Sequence, residues 1–247
     1  MINKVLLYAK ETQRDLKMEK TKTPSKSTTI LRTIFTTLFA LAAIFVPAGT
    51  LKWAEAWLFI ILYTVAVVAA LTWMKKKAPD LLKERMKRKK DAKRWDRIFM
   101  AFYTIFLLIM LILPGLDAVR FQWSNVPLIA KVLAFIGFLP GSWLAFWAMR
   151  ENAYLSDVVR IQEDRGHTVC TTGPYKYVRH PMYVGIFVIM LCFPLSLGSL
   201  YSFIPAAIII ILFFIRTALE DKTLLEELPG YKEYAQQVRY RLIPRIW

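Results

Sequence analysis

Cysteine and histidine are scarce in this chain, two of each in 247 residues. Cys192 falls inside an apolar run and Cys170 in a polar loop, which argues against a disulfide framework. No CxxC or Cys/His spacing suited to zinc is present, so no metal is expected. Acidic residues are also few: 18 Asp and Glu stand against 34 Lys and Arg, for a formal charge of +16. That balance first suggests nucleic acid. The basic residues, however, lie in blocks between long apolar runs rather than on one face, which suits an anionic membrane surface, and no nucleic-acid partner is expected. A Rossmann glycine fingerprint and internal repeats are lacking as well. What is abundant is apolar: 56% of residues are hydrophobic and only 21% charged. The bilayer is the solvent this composition fits.

A spanning helix needs about 20 apolar residues to cross about 30 Å of hydrocarbon. Ile30 to Ala48, Ala54 to Met74, Ile98 to Leu116 and Val126 to Met149 meet that requirement, with Trp53, Trp57, Trp73, Trp95 and Trp123 near their ends as interfacial anchors. A fifth apolar region, Tyr183 to Ile215, is too long for one span and is broken by Pro194, Gly198 and Pro205. It reads as a tight helical hairpin with a short first arm. The fold expected is an all-α integral membrane protein of about four transmembrane helices plus a C-terminal helical hairpin. Met1 to Thr29 is polar and Lys-rich, with no apolar core or cleavage site of a secretory signal, and is expected to be disordered. Met18 is a second candidate start.

Lys75 to Lys77 and the run from Arg85 to Arg97 make the connection after the second span strongly basic, whereas Gly49 to Lys52 and Asp117 to Asn125 carry one basic residue each. The positive-inside rule then puts the N-terminus, the basic loop 75–97, the segment Arg150 to Met182 and the tail Ala218 to Trp247 in the cytosol. The bland reading of the basic block is contact with membrane lipid headgroups.

Two polar stretches carry the chemistry. The first, from His167 to Gly185, holds Gly173-Pro174 as a turn, Pro181 in the first turn of a helix, and Gly185 where another backbone or a ligand approaches closely. The second begins at the membrane exit with Arg216 and Glu220, four apart on one helix face, followed by Asp221. Taken singly these residues have plain explanations: an arginine snorkelling beside an interfacial acid, a histidine capping a helix, an interface tyrosine.

Together, Gly173-Pro-Tyr-x-Tyr-Val-Arg-His-Pro-x-Tyr-x-Gly185, then Arg216-x-x-x-Glu220-Asp221 and Gly230-x-x-x-Tyr234, resemble the isoprenylcysteine carboxyl methyltransferase and phospholipid methyltransferase superfamily from about Ser156 onward. The resemblance implies S-adenosyl-L-methionine as cofactor, in a cytosolic pocket formed by the loop before the hairpin and the C-terminal helix. It places His167, Thr168, Val169, Cys170, Tyr175, His180, Pro181, Met182, Tyr183 and Glu220 at the cofactor, with either Arg160 or Gln162 in a further position. Arg216 and Glu220 are the implied catalytic residues, Arg216 also binding substrate. Region 1–29 is then a polar N-terminal segment, 30–149 the four-helix membrane part, and 150–247 the cofactor-binding region including hairpin 183–215. The acceptor is lipophilic, small or lipidated, and presents a carboxylate, amine or thiol. Asp221 departs from the commoner Glu-Glu pair, and Gly230 sits one residue late. Two other classes remain open: an NADPH-dependent enzyme similar to membrane sterol reductases, and a non-enzymatic membrane protein.

Overall fold

The computed structural model describes residues 26–86 and 93–247. The chain divides into two units, 1–41 and 42–247. In the first, Phe35 and Phe39 stack with ring centroids 6.3 Å apart and are exposed. The second holds all the motifs. Among the described residues there are eight α-helices and no strand: α1 Lys26–Ala48, α2 Ala54–Lys77, α3 Pro79–Met86, α4 Arg94–Pro114, α5 Leu128–Glu151, α6 Pro181–Ser196, α7 Phe203–Glu227 and α8 Tyr231–Gln237. A π-helical turn, Gly115–Arg120, prolongs α4.

The expected all-α membrane architecture is borne out, with some boundaries moved. Among the described residues, four helical stretches are long and apolar enough to cross a membrane: Ala54–Lys77, Arg94–Arg120, Leu128–Glu151 and Phe203–Glu227. The fourth is the second arm of the hairpin, while the expected first span, Ile30 to Ala48, is represented by the shorter apolar helix Phe35–Ala48, and the first arm by Pro181–Ser196. The hairpin break falls at 197–202, around Gly198, and not at Pro194, which lies inside α6, or at Pro205. That proline is the third residue of α7, where backbone N–H groups have no intrahelical partner and none is lost. The first arm, α6, has 16 residues, about 24 Å of rise, less than a full hydrocarbon thickness. The basic block is partly helical, since α2 runs through Lys77 and α3 follows at once. Residues 1–25, which contain Met18, and residues 87–92 of the basic block lie outside the described residues.

Small residues set the tightest packing. Gly137, Gly141 and Ala145 recur every fourth residue on α5; Gly185 of α6 faces Gly141 and Ala145, and Cys192 of α6 faces Gly137. A Cβ on Gly185 would lie 2.6 Å from the Gly141 carbonyl oxygen and 2.8 Å from the Ala145 nitrogen. The close approach that Gly185 permits is therefore by another helix backbone, the contact small residues allow between membrane helices. Aromatic edges fill the remaining space: Phe59 of α2 meets Phe138 of α5 and Phe193 of α6, while Phe213 of α7 meets Phe99 of α4 and Tyr183 of α6.

At one end of the helices the 197–202 turn is held by Asp117, whose Oδ2 accepts from Ser199 Oγ at 2.6 Å, Ser124 Oγ at 2.7 Å and the Tyr201 amide at 3.2 Å. At the other end α3, the 152–180 segment, the last turns of α7, and α8 come together.

Candidate functional site

After α5 the chain runs from Asn152 to His180 with only two 3₁₀ turns, Glu163–Arg165 and Gly173–Lys176. Such a segment keeps one conformation only if side chains from elsewhere tie it down, and they do. Arg85 of α3 pairs with Asp157 at 2.6 Å, and Glu84 of α3 pairs with Arg160 at 2.8 Å. Asp96 of α4 accepts from the Val159 amide at 2.8 Å, and Arg216 of α7 donates to the Asp157 carbonyl at 2.8 Å. Gly166, at φ +63°, reverses the chain, and the Tyr154 ring lies 4.6 Å from that of His167.

The second half of the segment is fixed through one carboxylate. Asp221, wholly buried, accepts from Arg179 Nε and Nη2 at 2.8 Å each, from the Tyr231 hydroxyl at 2.8 Å and from Arg241 Nε at 2.9 Å. His180 Nε2 lies 3.4 Å from the same group. Arg179 also donates to the carbonyls of Val238 and Arg239, and its amide and that of His180 donate to Tyr240 and Arg241. Burying a carboxylate is costly unless charge and hydrogen bonds match it. Here two guanidinium groups and a phenol do so, and they join α7, α8, the chain end and the turn that starts α6. The shorter acid, Asp221, thus serves as the structural junction, and Glu220 faces the open space.

That space is a cleft bounded by the 152–180 segment, the start of α6, α7 and α8. Its walls include His167, Thr168, Val169, Cys170, Tyr175, His180, Met182, Tyr183 and Glu220, nine of the residues that the sequence singles out. Gln162, Pro181 and Arg216 are not among its lining. Gln162 is buried behind the wall, its amide nitrogen donating to the Tyr154 carbonyl and its oxygen accepting from Arg165. Of the two alternatives for a further position, Arg160 is the one that reaches the cleft. Asn152, Tyr154, Tyr231 and Tyr234 also line it, and sequence reasoning passed over the first two because they precede the motif in a stretch with no recognisable pattern. Tyr234 and Tyr231 sit beside the Gly230 signal, which does point to them.

The cleft is lined by polar and aromatic side chains together. Tyr183 donates to Glu220 Oε2 at 2.6 Å, so this half-buried acid is fixed at the wall. Asn152 donates to the Tyr175 hydroxyl at 3.3 Å, and Tyr234 donates to the Tyr175 carbonyl at 2.7 Å. Burial, more than any neighbouring charge, pushes the Tyr175, Tyr231 and Tyr234 phenols up, and all three stay protonated donors. Burial also pulls the His167 imidazole down, with the charges of Arg165 and Arg160 acting in the same direction. Its Nδ1 accepts from the Gln162 amide at 3.4 Å. The neutral ring keeps Nε2–H as a donor.

Arg216 lies just behind Tyr183. Its guanidinium carbon is 4.6 Å from the Phe99 ring centroid and 5.8 Å from that of Tyr183, and Nε is 3.1 Å from Asp96 Oδ1. Asp96 and Arg216 are both buried. Neither Asp96 nor Asp157 stands out in the sequence, because each reads as an ordinary acid at a membrane boundary.

Fold and site together define an integral membrane protein of packed helices with a cleft of polar and aromatic side chains at one helix end. Residues 132–226 match the model of the isoprenylcysteine carboxyl methyltransferase (ICMT) family. The chain is also similar to a Protein-S-isoprenylcysteine O-methyltransferase of Schizosaccharomyces pombe, 31% identical over 107 residues, covering 42% of this chain and 45% of that protein. The chain therefore aligns with less than half the length of that relative. The resemblance carried by the motifs is borne out over this region, which includes Arg216, Glu220 and Asp221. Glu84, Arg85 and Asp96 lie outside it.

Proposed function

We propose that this protein is an S-adenosylmethionine-dependent membrane methyltransferase that esterifies the carboxylate of a lipophilic, isoprenylcysteine-like acceptor. The observation that carries this reading is the convergence of both polar stretches on one cleft, with a buried arginine one side chain away at the edge of the apolar helices. The similarity to an isoprenylcysteine O-methyltransferase supports an oxygen acceptor. The donors and acceptors fit the cofactor too: Glu220 suits an ammonium or ribose hydroxyl, the Tyr175 and Tyr234 rings an adenine or sulfonium face, and neutral His167 a carboxylate or ring nitrogen.

When bound, the cofactor supplies an electrophilic methyl group on a sulfonium, which is displaced in line. The protein's part is positioning and exclusion of water. Tyr183 fixes Glu220, Asp221 fixes the Arg179–His180 turn, and the tyrosine rings that line the cleft exclude water from the reacting region. A carboxylate acceptor is already an anion, so no side chain has to remove a proton. Arg216 supplies the planar, permanently charged group that suits it. The cleft end of the helices gathers Lys75, Lys76, Lys77, Arg85, Lys93 and Arg94, and this basic cluster supports a cytosolic cleft, with the acceptor's lipid part in the bilayer.

The test is transfer of labelled methyl from S-adenosylmethionine to an N-acetylated S-prenylcysteine by purified protein in lipid nanodiscs. A base-labile, ester-linked label supports the reading. Transfer to a thiol or amine acceptor instead would change the acceptor class, and absence of transfer to all three would overturn the reading.

A further inference from the structure

The charge that faces Arg216 comes from outside the region matched by the family model. Asp96, on α4, sits 3.1 Å from Arg216 Nε, yet neither Asp96 Oδ1 nor Arg216 Nε completes a hydrogen bond, and both atoms are buried. The other oxygen of Asp96 accepts from the Val159 amide, and Arg216 Nη2 donates to the Asp157 carbonyl. One buried carboxylate therefore holds both the guanidinium and the strand of chain that covers it. In this arrangement Arg216 is 6% exposed and does not line the cleft.

We propose that Asp96 is a resident counter-ion of Arg216 that an anionic acceptor must displace, and that it thereby sets the affinity for acceptors carrying a carboxylate. The inference rests on the functional reading above for its acceptor, but not for the pair itself. A buried guanidinium with no counter-charge is costly, so Asp96 stabilises the acceptor-free protein. The same attraction competes with an incoming carboxylate, which gains only the difference between two similar pairings. The imperfect Asp96 geometry leaves that difference in the acceptor's favour, since a planar carboxylate approaching freely makes the bidentate pairing that Asp96 does not. Glu220, four residues along α7, Asp157, and the phenol of Tyr183 are the other acidic or titratable groups about this guanidinium. Among the described residues, Asp96 alone sets a carboxylate within ion-pair distance of it, the Asp157 carboxylate being paired with Arg85.

Asp96→Asn keeps an oxygen for the Val159 amide and removes the charge. With an N-acetylated S-prenylcysteine as acceptor, its KM falls roughly five- to tenfold, while inhibition by the corresponding carboxamide, which has no charge to pair, is unchanged. Arg85→Ala loosens the same covering segment through Asp157 and leaves the acceptor KM no lower than wild type. A KM raised in Asp96→Asn, or lowered equally in Arg85→Ala, overturns the proposal: Asp96 would then only orient Arg216, or the segment alone would control access. A second readout needs neither turnover nor acceptor. Phenylglyoxal modification at Arg216, followed by mass spectrometry of its peptide, is several-fold faster in Asp96→Asn than in wild type, and an equal rate overturns the proposal. Failure of wild-type turnover with faster labelling in the variant would reject the methyltransferase reading and keep the counter-ion pair.

Discussion

The Tyr183 hydroxyl donates to the Glu220 carboxylate at 2.6 Å, tying the first turn of α6 to α7 across the wall of the cleft. The bond fixes one oxygen of the acid and leaves the other to meet a ligand. Tyr183→Phe keeps the ring against Phe213 and removes only the donor. Affinity for S-adenosylhomocysteine, measured by isothermal titration, falls about tenfold, with the thermal unfolding midpoint little changed. A lowered midpoint with unchanged affinity would make the bond structural.

Neighbouring acids have opposite consequences. Asp221→Ala leaves Arg179, Arg241 and the Tyr231 hydroxyl without their common acceptor and costs about 3–5 kcal/mol of stability, read as a large fall in the unfolding midpoint. Glu220→Gln, at the cleft, leaves the midpoint near wild type and weakens ligand binding. Equal destabilisation by the two would contradict the division of labour between them.

Gly185→Ala puts a methyl group 2.6 Å from the Gly141 carbonyl oxygen, where backbone rather than a flexible side chain must move. The helices separate at a cost of about 1–3 kcal/mol, and the Tyr183 to Glu220 bond, two residues away along α6, is disturbed with them. Both the unfolding midpoint and ligand affinity therefore drop. A midpoint equal to wild type would contradict the close α5–α6 approach.

His167 gives the site a pH dependence whose sign follows from burial. Its pKa is lowered in the folded protein from the ordinary 6.5, so below about pH 6.5 the unfolded chain takes up the proton more readily than the native state. The contribution to stability is complete above the unfolded value and is lost as pH falls through the lower folded one. Between about pH 7.5 and about pH 5.5 the unfolding midpoint of wild type declines, and in His167→Asn that part of the decline is missing. Parallel profiles would show that other groups govern the acid side.

Hydropathy and basic residues made the helices legible, and the motif from Gly173 to Gly185 with Arg216 and Glu220 made most of the cleft legible, because these residues are close in sequence or share a helix face. What ties the cleft wall down was not legible. Asp96 is 63 residues from Val159, and Glu84 is 76 from Arg160; no periodicity links such partners, which meet only once α3 and α4 are placed. The small-residue row Gly137, Gly141 and Ala145 was visible in principle, but hydropathy passes over it because all three count as apolar or neutral. Pro205 misled for a local reason, since a proline at the third position of a helix breaks nothing.

The measurement that tests the central claim most directly is isothermal titration of the purified full chain with S-adenosylhomocysteine and, separately, with NADPH, in wild type and Glu220→Ala. The account predicts saturable binding of the homocysteine analogue that is lost in Glu220→Ala, and no binding of NADPH. Binding of NADPH alone would contradict it and favour a reductase, and binding of neither ligand by a folded wild-type protein would contradict it in favour of a non-enzymatic role.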